Sequence, residues 1–470
     1  MTFNFQPWLS MLVPKFRLLF WAGIVFLPFA TLFTVMPQSV MVSGSMIALM
    51  LILAVGDALL AFGRLAGIRV ELPEVVRLSK DRDGEIELHI RNERMKVRQL
   101  RIGLAFPGEI YSPNREITTR LPEENPSASL VWPCKALKQG RYTLSTYYLE
   151  AASPLGFWGM RSAVPTCLEI RVYPNLFAER KNLAALFLNK NLGIHTQRQV
   201  GKGRDFEQLR EYVPGDSYED IHWKATARQR HPITKVYQVE RTQNVYLIID
   251  ASRLSARKRK KESEKRKEET SASDDMSQVS GFTSILDRFI TASLIMGMAA
   301  ERQGDLFGVL AFSDKMRGFV RAKNGKAHYN TCRDTLYTLE PQHVSPDFAE
   351  LFTFIGTHIR RRALLIFLTN LDDPVLAEGF LHNIDLIRRR HLVLVNMLKP
   401  ELAASLFSSP EIQSADDLYK NLGGHFLWSS LRETEKRLKR SGIGFSLLDN
   451  DKMAVQVVSQ YLAVKQRQIL

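Results

Sequence analysis

Two long apolar stretches near the N-terminus constrain this chain more than any other feature. Phe16 to Met36 reads FRLLFWAGIVFLPFATLFTVM, and Val40 to Phe62 reads VMVSGSMIALMLILAVGDALLAF. Each holds about 20 residues, enough helix at 1.5 Å per residue to cross a ~30 Å hydrocarbon core. A cleaved signal peptide has a shorter apolar region and no second span immediately behind it. The pattern predicts a transmembrane helical hairpin over 1–66, with spans at about 16–36 and 40–62; the alternative is a buried helical hairpin. Only Pro37, Gln38 and Ser39 separate the spans. Lys15 and Arg17 precede them, Arg64 and Arg69 follow, and the turn carries no charge, so the positive-inside rule places both ends in the cytoplasm. Asp57 falls in the last third of the second span. An acid there is a functional hypothesis by default, but near the inner interface it is expected to snorkel and to be balanced by Arg64.

The 470 residues should hold more than one folding unit. The net charge of +15, from 64 Lys and Arg against 49 Asp and Glu, fits a nucleic acid, an anionic membrane surface or an acidic protein as partner. Three cysteines without CxxC spacing argue against a disulfide framework or a zinc site, and suit a reducing compartment.

Beyond the hairpin the grammar changes twice. From 67 to about 180 the pattern has period two: Ile86, Leu88 and Ile90 alternate with polar neighbours, as do Leu168, Ile170 and Val172, with turn residues clustered between the runs. That predicts a β-sandwich. SPLGFW, at Ser153–Trp158, reads as a tight turn with an aromatic plug. From 244 to 470 short all-apolar strands alternate with helical segments: NVYLIID, LFGVLAF, ALLIFLT, HLVLVNML and GIGFSLL. That predicts an α/β domain with a mostly parallel sheet covered on both faces. Residues 181–243 form a connector. Residues 253–281 carry many charges and almost no large apolar side chain, which predicts a disordered insertion.

No phosphate loop, HExxH pair or GxSxG elbow is present. A Cys332–His328 pair lacks an orienting third group. One constellation does have a rationale. In open α/β sheets ligands sit at the carboxyl ends of strands. Asp250 and Ser252 end the first strand of this domain, Ser345 lies in a later loop, and Asn370, Asp372 and Asp373 follow ALLIFLT. Oxygen donors on several such loops suit a hard cation, Mg²⁺ being the candidate cofactor.

The order of strand, DxS, helix, strand, Ser/Thr loop and a further strand end resembles a von Willebrand factor A-type domain. Its metal-ion-dependent adhesion site uses DxSxS, a Thr and an Asp. Asp250 and Ser252 match the first two positions, Leu254 replaces the second Ser, Ser345 stands where Thr would, and Asn370 falls where the later Asp is expected. The site is therefore either a working cation site or a degraded one on a retained fold. DFEQLREYVPGDSYEDIHWKATAR ahead of VYLIIDAS closely resembles the signature of the domain-of-unknown-function-58 family. That resemblance covers nearly the whole chain and implies two N-terminal transmembrane helices, a β-rich segment and an A-like domain. It also implies a multi-pass protein of the bacterial inner membrane, with both termini cytoplasmic, associated with MoxR-type AAA+ ATPases in envelope or stress-related systems.

Within the signature, Pro214-Gly215 suits a type II turn. Ser217 and Asp220 are in capping-box spacing, so a helix is expected from there to Pro232. Arg210, Tyr212, Gly215, Asp216, Ile221, Trp223, Ala227 and Arg228 are the candidate docking or bracing residues. The leading expectation is a non-enzymatic adaptor docking a MoxR-type ATPase. The alternatives are an anionic-lipid or nucleic-acid binder acting through the basic insertion and, last, a metal-dependent hydrolase.

Overall fold

The computed structural model describes residues 11–35, 40–95, 97–122, 125–189, 200–214, 217–238, 243–260, 282–403, 405 and 415–467. Met1–Asn175 and Leu176–Leu470 are two compact units.

The first unit opens with strand β1 (Met11–Pro14), followed by helices α1 (Phe16–Val35) and α2 (Val40–Ala61). Among the described residues one helix, Met41–Ala61, is long and apolar enough to cross a membrane; the apolar stretch of α1, Phe16–Leu32, is shorter. The predicted turn at 37–39 lies outside the described residues. Among the described residues nine strands follow: β2 (Ile68–Glu71), β3 (Val75–Ser79), β4 (Asp83–Asn92), β5 (Gln99–Leu104), β6 (Ile110–Tyr111), β7 (Glu116–Arg120), β8 (Ser127–Ala136), β9 (Gly140–Ala152) and β10 (Trp158–Tyr173).

They form two sheets. One runs β1-β10-β9-β5-β7, with β3 parallel to the far half of β10; the other runs β2-β4-β8-β6. Alternation decides which face of each strand turns inward. Ile86, Leu88, Ile90 and Trp132 of one sheet pack with Leu100, Ile102, Leu144, Leu149, Leu168 and Ile170 of the other in a single core. Each such aliphatic side chain contributes about 1.5–3 kcal/mol of hydrophobic stabilisation. The Trp132 indole N–H is satisfied by the Ser112 hydroxyl at 2.9 Å, which lets the ring be fully buried.

The second unit begins with α3 (Phe177–Asn189) and a hairpin of β11 (Val200–Glu211) and β12 (Ile233–Gln238). Between those strands lie a 3-10 turn (Tyr218–Asp220) and α4 (Trp223–Gln229). Then come β13 (Asn244–Asp250), β14 (Lys258–Lys260), β15 (Phe282–Ser284), α5 (Ile285–Arg302), β16 (Leu306–Phe312) and β17 (Met316–Lys323). The rest is α6 (Lys326–Leu336), α7 (Phe348–His358), β18 (Leu364–Leu368), α8 (Pro374–Asn383), α9 (Asp385–Arg388), β19 (Leu392–Leu398), α10 (Ala415–Arg440), β20 (Gly444–Leu448) and α11 (Met453–Gln466).

The main sheet runs β17-β16-β13-β18-β19-β20. Five strands are parallel and β17 is an antiparallel edge. In β13 the odd and even residues divide between two cores. Val245, Leu247 and Ile249 pack with α5 and α11, while Tyr246 and Ile248 pack with α7 and α8. A strand covered on both faces must be apolar at every position, which explains why these strands show no alternation in sequence. The insertion expected at 253–281 is ordered at its start: Arg253–Ala256 form a 3-10 turn, and β14 pairs with β15. Residues 261–281 lie outside the described residues.

Candidate functional site

Parallel strands place their carboxyl ends along one edge, and the predicted cation ligands gather there. Asp250 ends β13, is fully buried, and uses both carboxylate oxygens. Oδ1 accepts the Ser252 amide at 2.8 Å, and Oδ2 accepts the Thr369 hydroxyl at 2.6 Å. Burial pushes its carboxyl upward, opposed by these hydrogen bonds. The Ser252 hydroxyl caps the 3-10 turn by accepting from the Leu254 amide. Ser345 Oγ accepts from Arg253 Nε at 3.1 Å. Asn370 is buried and donates to the Leu254 carbonyl at 3.4 Å. Asp372 is paired with the Arg257 guanidinium. Asp373 caps α8 by accepting the Val375 amide at 3.0 Å.

Thr369 is the residue that sequence reasoning passed over. It is the last residue of ALLIFLT, next to Asn370, which stands where the later Asp of the A-type motif is expected. A hydroxyl directly at the end of an all-apolar strand was the available signal.

A divalent cation does not fit this donor set. Hard cations take oxygens with open lone pairs and formal negative charge. Here the charge of Asp372 faces a guanidinium, Ser345 faces a second guanidinium, and Asp250 is wrapped by its own donors. Asn370 Oδ1 and Asp372 Oδ1 are buried without a hydrogen-bond donor. They are two open acceptors, but only Asp372 carries charge and Arg257 already faces it, which leaves too little negative charge for a hard cation. Among the described residues no three His, Cys, Asp or Glu side chains come together as a metal group.

The Cys332–His328 pair is likewise closed. His328 Nε2 lies 2.7 Å from the Phe307 carbonyl and 3.5 Å from Cys332 Sγ, so the imidazole is bound to the backbone. Burial pushes the Cys332 thiol up to about 12, far from the thiolate a nucleophile needs.

The signature segment is built differently from its expected form. A helix capped by Ser217 was anticipated, but Ser217 makes no capping hydrogen bond, and Ile221 after the 3-10 turn is extended and bridged to Thr234. The helix starts later. His222 is its cap, Nδ1 accepting the Ala225 amide at 3.0 Å, and Arg230 ends it in a left-handed conformation. The capping box fails because Ile221 is drawn into the core beside β12, where its side chain is buried. Thr226 Oγ1 accepts the Ile233 amide at 3.0 Å, tying the helix to the next strand.

Arg210 lies in β11, opposite Thr234. The Tyr212 amide donates to the Pro232 carbonyl at 3.0 Å, and its ring stacks on Tyr218 at 6.0 Å. Gly215 and Asp216 lie outside the described residues. Ala227 and Arg228 are exposed on α4. Trp223 is 70% exposed and Tyr218 75%. Val213 and Leu209 add exposed apolar surface, and Lys224 and Arg230 are exposed as well. The frame is pinned by backbone and capping contacts, while its largest side chains face solvent.

The signature segment from Gln208 onward lies within a longer region that matches known proteins. The family model described as protein of unknown function DUF58 matches residues 208–274 and 253–406. That match supports the DUF58 family. The matched region begins at Gln208 within β11 and continues through β13, β16 and β18 to residue 406, past the end of β19. An uncharacterized protein of Mycobacterium bovis, and others from two strains of Mycobacterium tuberculosis, are each 24% identical over 211 residues. The matched region is 44% of this chain and 59% of each relative. Among solved structures, an aerotolerance-related membrane protein from Bacteroides fragilis aligns with a TM-score of 0.25 at 12% identity, over 46% of this chain and 97% of that one. Proximal thread matrix protein 1 from the mussel byssus aligns with a TM-score of 0.24 at 9% identity, over 47% of this chain and 46% of that one.

Proposed function

We propose that this chain is a non-enzymatic docking protein of the bacterial inner membrane, anchored by a two-span helical hairpin with both termini in the cytoplasm. Its second unit, a von Willebrand A-like domain carrying the DUF58 signature, binds a protein partner. The partner implied by the family resemblance is a MoxR-type AAA+ ATPase.

The observation that carries this reading is the exposure of Trp223 and Tyr218 on a pinned frame. Large aromatic side chains are favoured inside a core or an interface, and Trp and Tyr lead the residues that dominate binding energy. A bracing role would bury them. The neighbouring Lys224, Arg228 and Arg230 suit a partner with an acidic rim, since complementary charge steers encounter and register.

The test uses the full-length protein in lipid nanodiscs and a purified MoxR-type ATPase from the same organism. Wild-type protein binds the ATPase, and Tyr218→Ala with Trp223→Ala weakens binding while leaving thermal unfolding unchanged. Retained binding by a folded double variant would sink the docking role of the segment. Consistent absence of an AAA+ ATPase among partners cross-linked in native membranes would sink the choice of partner.

A further inference from the structure

The SPLGFW turn reads as a tight turn with an aromatic plug, and the elements it packs against are the two apolar helices. Five hydrogen bonds fix it there, four to α2 and one to the residue before α1. Asp57 Oδ2 accepts the Ser153 hydroxyl at 2.5 Å and the Phe157 amide at 3.2 Å, while Oδ1 accepts the Leu155 amide at 3.0 Å. The Trp158 indole N–H donates to the Ala54 carbonyl at 2.8 Å. The Phe157 carbonyl accepts the amide of Lys15, directly before α1. Gly156 turns the corner at φ +77°, and a Cβ there would stand 3.2 Å from Arg17 Nη1, so the turn passes close beneath the first residues of α1.

The position of the turn along α2 decides what surrounds it. From Val40 to Leu53 the helix is about 21 Å long at 1.5 Å per residue. That is well short of a ~30 Å hydrocarbon core. All 22 residues of α2 give about 33 Å. If α2 crosses the bilayer, its apolar zone must extend past Ala54 to the level of Asp57, and therefore to the level of the turn.

The side chains at that level agree. Ala54, Asp57 and Ala61 are the buried face of α2, whereas Leu51, Ile52, Val55, Leu59 and Leu60 are exposed. Leu155, at the tip of the turn, is 48% exposed. Phe16, Phe20 and Trp21, in the first turns of α1, are exposed, and Trp is one of the residues enriched at membrane interfaces. Arg17 supplies positive charge for anionic headgroups, while Lys15 is paired with Glu150 at 3.2 Å. Asp57 can lie at this depth because the turn brings three donors to its carboxylate, and an unpaired carboxylate there would be costly.

We infer that the Ser153–Trp158 turn is a third membrane-contacting element, seated in the interfacial layer of the bilayer with Leu155 against lipid. It rests on the membrane-anchor reading above and adds the sandwich unit itself to the lipid contact. The sandwich would then be held at the bilayer surface at a fixed depth.

The test places a fluorescent NBD label on the full-length protein, in a Cys167→Ser background, in phosphatidylethanolamine–phosphatidylglycerol vesicles carrying nitroxide lipid. Leu155→Cys reports on the turn and Ile52→Cys on the span. A Pro154→Cys label serves if the Leu155 variant does not fold. The expected result is blue-shifted emission and nitroxide quenching at both positions, with iodide access at 155 far below that of a label on Cys167 in the otherwise wild-type protein. A lipid-shielded probe at 52 with a fully iodide-accessible probe at 155 overturns the inference and leaves the anchor standing. Water exposure at 52 overturns the anchor, and the inference with it.

Discussion

Asp57 and Ser153 meet side chain to side chain at 2.5 Å, and Asp57 is only 1% exposed. The carboxylate expected to snorkel toward Arg64 is instead the acceptor at the centre of a clasp between α2 and the β9–β10 turn. Arg64 reaches the Ala152 carbonyl at 2.8 Å.

Removing that acceptor strands three donors. Asp57→Ala should cost about 2–4 kcal/mol, because bonds to a charged acceptor are worth roughly 1.5–3 kcal/mol and buried donors left unpaired are penalised. Thermal unfolding of the full chain in nanodiscs measures this. Trp158→Phe, which loses only the bond to Ala54, should cost about 1 kcal/mol.

The exposed aromatics predict a separation of binding from stability. Trp223→Ala alone should weaken partner binding by about 2 kcal/mol, roughly 30-fold, if it is an anchor residue. Its unfolding free energy should stay within about 0.5 kcal/mol of wild type, as for other surface positions. Binding isotherms and a denaturation curve on the same preparation decide it.

Acid should destabilise the second unit through His391. Burial, with Arg390 beside it, lowers its pKa from 6.5 to about 4. The unfolded chain therefore takes up this proton first, so stability falls as pH drops below ~6.5 and continues to fall until the folded imidazole titrates near 4. The loss is on the order of 2–3 kcal/mol. Denaturation midpoints between pH 7 and pH 4 should show the slope, and His391→Gln should flatten it.

The strand-end constellation predicts indifference to divalent cations. A ligand bound only by the folded state at 100 times its Kd would add about 2.7 kcal/mol. Millimolar Mg²⁺ or Mn²⁺ should leave the unfolding midpoint unmoved. Arg257→Ala should destabilise modestly, about 1 kcal/mol, since Arg257 is largely exposed while its partner Asp372 is not. A clear rise in midpoint with added metal would contradict this account.

Thiol reactivity should be confined to Cys167, the exposed cysteine. Cys134 and Cys332 are buried, their thiols pushed up to about 11 and about 12. Native alkylation followed by mass spectrometry should modify Cys167 alone, with the other two reacting only after unfolding.

The legible parts of this chain were those in which local pattern and burial coincide. The helix at Ile285–Arg302, the strand Leu306–Phe312 and the alternation of Ile86, Leu88 and Ile90 follow from periodicity, because one face, both faces or alternate faces must leave water. The helix of the signature was misplaced because capping spacing is local, whereas the pull on Ile221 comes from Thr234 across the hairpin. Thr369 was missed for the same reason: nothing within its own stretch shows that Asp250, on another strand, ends beside it.

By itself the sequence determined the apolar helices, the change from alternating to all-apolar strands, and the family signature, since these depend on which residues are near in the chain. Only the tertiary structure decided what the polar side chains do. Asp57 closes a clasp, Asp250 is wrapped by Ser252 and Thr369, and Arg257 faces Asp372. Hydrogen bonds and ion pairs depend on distances of a few ångströms between residues far apart in the chain, and that closeness exists only once the sheets have formed.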